Sequence, residues 1–174
     1  TTTHDPNVDI ALIIDSSGSM GTNDPQDLRK DAAKVFIGTM QDDDHLAVVD
    51  LDYYTRIAFA LQRVGGNRDA AKAAVDTIDS SGSTNIGGGL QAGYNELNSS
   101  TSGNPKAAVL LTDGIGSYSD QAELYAAKGW RVYTIGLSDA ADENLLKAIA
   151  DQTGGEYYFL SDSEQLIDIY FKIN

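Results

Sequence analysis

The chain contains no cysteine, which removes disulfides, thiolate zinc sites and cysteine nucleophiles from consideration together. Basic residues are scarce. Twelve Lys and Arg stand against 26 Asp and Glu, for a formal charge of −14, so the clustered cations that a nucleic acid or an anionic membrane surface requires are missing. No apolar run approaches the roughly 20 residues of a membrane span, so direct membrane insertion is not expected. Histidine occurs twice, as His4 in a polar start and as His45 beside an acidic turn, which leaves a Ser-His-Asp triad without a plausible base. There is no Gly-Lys-Ser/Thr phosphate loop.

What is present fits one soluble globular domain. A hydrophobic share of 41% and a charged share of 22% over 174 residues are enough for a real core. The start at Thr1, with no initiator Met and no signal pattern, is expected of an excised or processed piece of a larger polypeptide. Residues 1–7 read as a linker or tail, and residues 8–174 as the domain.

Val8-Asp9-Ile10-Ala11-Leu12-Ile13-Ile14 is the apolar, β-branched run of a buried parallel strand, and it delivers Asp15-Ser16-Ser17-Gly18-Ser19 at its carboxyl end. Open α/β sheets place ligands at that edge. One carboxylate and two hydroxyls at alternate positions supply hard oxygen donors suited to a small divalent cation such as Mg²⁺. Asp24-Pro25 can start a helix over residues 25–40, with Leu28, Ala32, Val35, Phe36 and Met40 at helical spacing. Asp42-Asp43-Asp44 reads as a solvated connection, because adjacent carboxylates in a turn cannot converge on one ion. Strands at 46–51 and 56–61 are joined too closely for anything but an antiparallel pair, so the second is an edge strand.

An alanine-rich helix follows over 67–78, capped by Asn67. Asp79-Ser80-Ser81-Gly82-Ser83 then repeats the earlier pentapeptide, but after a helix, and so reads as a loop and helix start. Ile86, Leu90, Tyr94 and Leu97 mark the next helix. Its Gly87, Gly89 and Gly93 mimic a dinucleotide fingerprint without the strand that one needs, so they serve close packing. A polar surface loop (98–105) leads to a strand (106–112) ending in Asp113-Gly114. Helix (119–128), strand (130–137), helix (142–152) and strand (156–160) come next, and Ser161-Asp162-Ser163-Glu164 opens a last helix as a capping box. The alternation predicts an α/β, doubly wound, Rossmann-like sheet of six strands, mostly parallel with one antiparallel edge, and helices on both faces.

The strongest constellation is Asp15, Ser17, Ser19, Thr84 and Asp113. Asp15-Ser16-Ser17-Gly18-Ser19, Gly82-Ser83-Thr84-Asn85-Ile86 and Leu111-Thr112-Asp113-Gly114 together resemble the metal-ion-dependent adhesion site of von Willebrand factor A domains, also called integrin I-type domains. Val132-Tyr133-Thr134-Ile135-Gly136-Leu137 and Thr153-Gly154-Gly155-Glu156-Tyr157-Tyr158 extend the resemblance over about residues 8–173. The resemblance implies that Ser17 and Ser19 ligate Mg²⁺ (or Mn²⁺ or Ca²⁺) directly and that Thr84 does so directly or through water. Asp15 and Asp113 would act largely through bound waters, and the Asp or Glu of a partner protein would complete the octahedron. Asp50-Leu51 departs from the family pattern, with Asp50 expected near the exposed end of its strand. Tyr53, Tyr54 and Tyr118 are candidates for rim contacts to a partner or for turn and packing roles.

The expected function is a non-enzymatic adhesion or protein-binding module, extracellular or at the cell surface. The alternatives are an intracellular assembly module and a Mg²⁺-dependent phosphohydrolase. The absence of a second Asp two residues after Asp15 weighs against the hydrolase.

Overall fold

The apolar run near the start forms β1 (Asp9–Asp15), and every one of its residues is buried. A central strand covered on both faces needs apolar side chains on both, hence the lack of polar alternation. The structure, a computed structural model, describes residues 7–16, 28–51, 55–78, 84–112, 116–136 and 142–159. The cap at Asp24-Pro25, the repeated pentapeptide from Asp79, Tyr53 and Tyr54, and the last helix lie outside the described residues, as do Ser17, Ser19 and Asp113.

β1 pairs in parallel with β2 (His45–Leu51) on one side and with β4 (Lys106–Thr112) on the other. Outside β2 lies β3 (Arg56–Arg63), antiparallel as its short connection requires. Beyond β4 come β5 (Arg131–Gly136) and β6 (Tyr157–Phe159), both parallel, giving the order β3-β2-β1-β4-β5-β6. The strand order reverses between β1 and β4. In a doubly wound sheet the crevice outside the carboxyl ends at such a reversal is the ligand site.

Helices cover both faces. On one, Ala32, Ala33, Phe36 and Ile37 of α1 (Leu28–Thr39) and Ala71 and Val75 of α2 (Arg68–Asp76) pack on Ile10, Leu12, Ile14 and Val48. On the other, α3 (Ile86–Asn98), α4 (Ala122–Lys128) and α5 (Glu143–Thr153) bury Leu90, Tyr125 and Leu146 against Ala11, Ile13, Leu51 and Leu110. Gly129 and Gly154 end α4 and α5 with φ of 73° and 78°, the left-handed geometry of a helix C-terminus. No helix among the described residues is long and apolar enough to cross a membrane.

The glycines of α3 admit close packing, as their sequence context suggested. A Cβ on Gly93 would lie 2.8 Å from the Tyr125 hydroxyl and 2.9 Å from Ile13. That hydroxyl is itself fixed, since it donates to the Leu90 carbonyl at 2.6 Å.

Several expectations are corrected. Asp44 is not solvated: it is fully buried and accepts from the backbone N–H of Val8 (2.9 Å) and Gln41 (2.8 Å). Asp42 and Asp43 are exposed but paired with Arg68 and Arg63. Asn67 precedes α2 without capping it, because its side-chain amide donates back to the Arg63 carbonyl at 2.9 Å. The helix expected from residue 119 begins at Ala122. Asp50 is buried rather than at an exposed end, held by Arg56 at 2.8 Å.

The loop before β4 is also more than a surface connection. Asp9 is fully buried at the amino edge, where its Oδ2 accepts from the hydroxyls of Ser100 and Ser102, each at 2.6 Å. Asn104 (3.1 Å) and His45 (2.9 Å) reach Oδ1, and the Lys106 ammonium lies 3.2 Å from Oδ2. Burial pushes the Asp9 pKa up, but the bonds from Ser100, Ser102, Asn104 and His45 outweigh it and hold the carboxyl below its ordinary 3.8. A depressed folded-state pKa adds stability that is present above the unfolded value and lost as pH falls through the folded one.

Asp9→Asn is therefore expected to lower stability at pH 7 by about 1–3 kcal/mol in urea denaturation. The deficit should shrink below about pH 4. An equal deficit at pH 7 and pH 3 would contradict the charge-based account. For Gly93→Ala, the overpacking cost of about 1–3 kcal/mol exceeds the gain in helix propensity of about 1 kcal/mol, so net destabilisation is expected in the same assay.

Candidate metal centre

Strand β1 ends at Asp15, the sole member of the predicted constellation that is both described and fully buried. Its position follows from parity. Ala11, Ile13 and Asp15 alternate onto the α3 face of the sheet, as Ala108, Leu110 and Thr112 do in the neighbouring strand. Thr112 thus lies beside Asp15, and its hydroxyl donates to Asp15 Oδ2 at 2.6 Å. A hydroxyl is neutral, so this bond orients the carboxylate without cancelling its charge.

The backbone at the start of the loop is tied down by two further elements. Arg29, in the first turn of α1, is fully buried, and its Nε donates to the Asp15 carbonyl at 2.6 Å. Ser16 is also buried, with its N–H (2.9 Å) and its hydroxyl (3.2 Å) both donating to the Leu51 carbonyl at the end of β2. Three elements around β1, namely β2, β4 and α1, therefore converge on two consecutive residues.

Thr84 is half-buried just before α3. The next residue, Asn85, caps that helix, its side chain accepting from the Gly88 N–H at 2.9 Å. The Thr84 carbonyl accepts from Ser117 N–H at 3.1 Å, which links it to the loop following β4. Ser17, Ser19 and Asp113 follow directly from these elements in the chain but lie outside the described residues.

Donor chemistry provides the test of fit to a divalent cation. A buried carboxyl group at the switch point, oriented by the Thr112 hydroxyl, and a threonine hydroxyl on the loop before α3 are hard oxygen groups of the kind Mg²⁺ takes. The residues fit. Among the described residues no group of three or more His, Asp and Glu converges as a metal cluster.

His45 begins β2 in register with Asp9, so it stands at the opposite edge of the sheet from Asp15. Tyr118 has a turn role: its hydroxyl oxygen accepts from the Ala122 N–H at 3.2 Å, and burial pushes its phenol pKa up. Beside the site, Arg56 joins Asp50 to the Thr77 hydroxyl (2.8 Å) near the end of α2. Asp50 Oδ1 is the buried side-chain oxygen left without a hydrogen bond among the described residues.

Sequence reasoning missed Arg29 and Thr112. A signal existed for each. Arg29 stands at helical spacing from Ala33, Phe36 and Ile37 on the buried face of α1, and Thr112 shares the face of Leu110.

Comparison with known proteins agrees with this architecture. The von Willebrand factor type A domain family matches residues 9–172. Calcium-activated chloride channel regulator 3A-1 of Mus musculus is 30% identical over 172 residues, covering 95% of this chain and 19% of that protein. A solved von Willebrand factor type A structure from Catenulispora acidiphila superposes with a TM-score of 0.81 at 28% identity, over 98% of this chain and 42% of that one. The domain of the type V pili tip protein Mfa5 from Porphyromonas gingivalis shares the fold at 14% identity, with a TM-score of 0.80 over 98% and 95% of the two chains. The chain spans 40% or less of the length of the curated relatives it matches. Family match and strand order agree, and this chain belongs to the von Willebrand factor type A domain family.

Proposed function

We propose that the domain is a non-enzymatic, metal-dependent protein-binding module. Asp15, Ser17, Ser19, Thr84 and Asp113 would hold a divalent cation, with Mg²⁺ the best fit and Mn²⁺ or Ca²⁺ as substitutes. The bound cation would supply an electrophilic vertex for the Asp or Glu carboxylate of a partner protein. The observation that carries this reading is the anchoring of Asp15 at the strand reversal, with its carboxylate oriented by Thr112 and its carbonyl held by Arg29.

The chain's own residues account for the rest of the reading. Thr112 and Arg29 hold Asp15, the residue from which the hydroxyl-bearing loop would extend. A preset origin lowers the ordering cost of binding. His45 stands at the far edge, so no described imidazole is placed to act as a general base beside Asp15.

Relatives and structural neighbours include a chloride channel regulator and a pilus tip protein. They support a role as one module of a larger polypeptide, outside the cell or at its surface.

Calorimetry with Mg²⁺ is expected to show binding to the wild type, weakened about 10- to 100-fold in Asp113→Ala and in Thr112→Val. Equal affinity in Asp113→Ala would remove that residue from the site. In metal-free urea denaturation, Thr112→Val should also cost about 1.5–3 kcal/mol, because it removes a hydrogen bond to a buried charge. Capture of proteins bearing exposed acidic side chains should be abolished by EDTA and restored by excess Mg²⁺; capture indifferent to EDTA would count against the proposed function.

A further inference from the structure

The loop that follows β4 does not simply pass the start of α3; it docks on it. Asn85 and Ser117 form an isolated parallel bridge outside the sheet. Two backbone bonds make it, from Ser117 N–H to the Thr84 carbonyl (3.1 Å) and from Gly87 N–H to the Ser117 carbonyl (3.0 Å). The first N–H groups of a helix lack partners within it, and here one of them is taken up by a neighbouring loop.

The docking depends on Gly116 having no side chain. A Cβ at that position would lie 2.6 Å from the Thr84 Cβ, Cγ2 and backbone oxygen, well inside contact distance. The requirement is one of space, since Gly116 is not among the glycines of positive φ. A second close approach lies on the same seam. The Gln121 Oε1, fixed by Ser119 N–H at 2.9 Å, stands 2.5 Å from where a Gly87 Cβ would be. Asp120, with φ of 66°, turns the chain so that Gln121 can reach back.

We infer that Gly116 is a positioning residue for the proposed cation site: by admitting the backbone clasp between Ser117 and residues 84–87, it holds the main chain of Thr84 fixed relative to residues 116 and 117, which follow Asp113 in the chain. The inference rests on the proposed cation site. It adds that the segment carrying Thr84 and residues 116–117 form a single unit. The third segment, at Asp15, is tied separately to Thr112, Arg29 and Leu51. Thr84 is therefore referenced to the β4 side of the site through main-chain bonds, and its hydroxyl inherits that register.

The test compares wild type, Gly116→Ala, and Ser117→Pro, which removes the N–H that bonds the Thr84 carbonyl without adding a side chain at residue 116. Hydrogen exchange on metal-free protein reads the clasp. The Ser117 and Gly87 amides should be protected in the wild type and lose protection in Gly116→Ala, and the Gly87 amide should lose it in Ser117→Pro. Calorimetric titration with Mg²⁺ and Mn²⁺ should show both variants weaker by about 10- to 100-fold. If Gly116→Ala does not fold, Ser117→Pro against wild type makes the same comparison.

Lost amide protection with cation affinity within about twofold of wild type overturns the positioning role alone, leaving the site reading intact. Unchanged protection of Ser117 and Gly87 in Gly116→Ala overturns the clasp. A wild type that protects both amides yet takes up neither cation overturns the reading of the site, and the positioning role with it.

Discussion

A strand buried on both faces with a carboxylate at each end imposes the main constraint on this fold: donors must be supplied at both edges of the sheet. Asp9 and Asp15 bound β1, and both are fully buried. Leaving either without hydrogen bonds would cost more than a typical core contact returns. The amino edge meets the demand with a hydroxyl-rich loop, the amide of Asn104, His45 and the ammonium of Lys106, so charge and lone pairs are both matched. At the carboxyl edge Thr112 supplies a neutral hydroxyl to the carboxylate, while the buried guanidinium of Arg29 is directed by its Nε to the backbone oxygen. One end of the strand is furnished as a structural anchor, and the other places its carboxyl group at the reversal point.

The same economy of space appears on the α3 side. Gly93 lets that helix sit against Ile13 and the fixed Tyr125 hydroxyl, and Gly116 lets the loop after β4 meet the helix start by backbone bonds. Interiors packed this closely transmit position, because displaced atoms have no void to move into. The residues nearest the proposed cation are thus located by groups that do not touch it. Arg29 and Thr112 serve Asp15, and Gly116 and Ser117 serve Thr84.

Much of the fold was legible from side-chain periodicity. The unbroken apolar run of β1 marked a parallel central strand, and the short join between β2 and β3 marked an antiparallel edge. Glycines 129 and 154 marked two helix ends. Less legible were the partners of polar residues. Asp44 looked like the last member of a solvated acidic run, but it closes on the amides of Val8 and Gln41. Asn67 had the composition of a cap and turned to Arg63 instead. In each case the competing donor or acceptor lies in a neighbouring turn or on another element, where a local pattern does not reach.

The sequence by itself determined the order of elements, the emergence of Asp15 at the end of a buried strand and the family to which the chain belongs, because these depend on hydrophobic periodicity, turn chemistry and short motifs that are local in the chain. The tertiary structure alone decided which neighbours hold that aspartate. Thr112 lies 97 residues from Asp15 and Arg29 lies on a separate helix, and only the sheet and α1 bring them to one place. Contacts between residues distant in sequence are set by strand order and packing distance, and neither is written in any one segment.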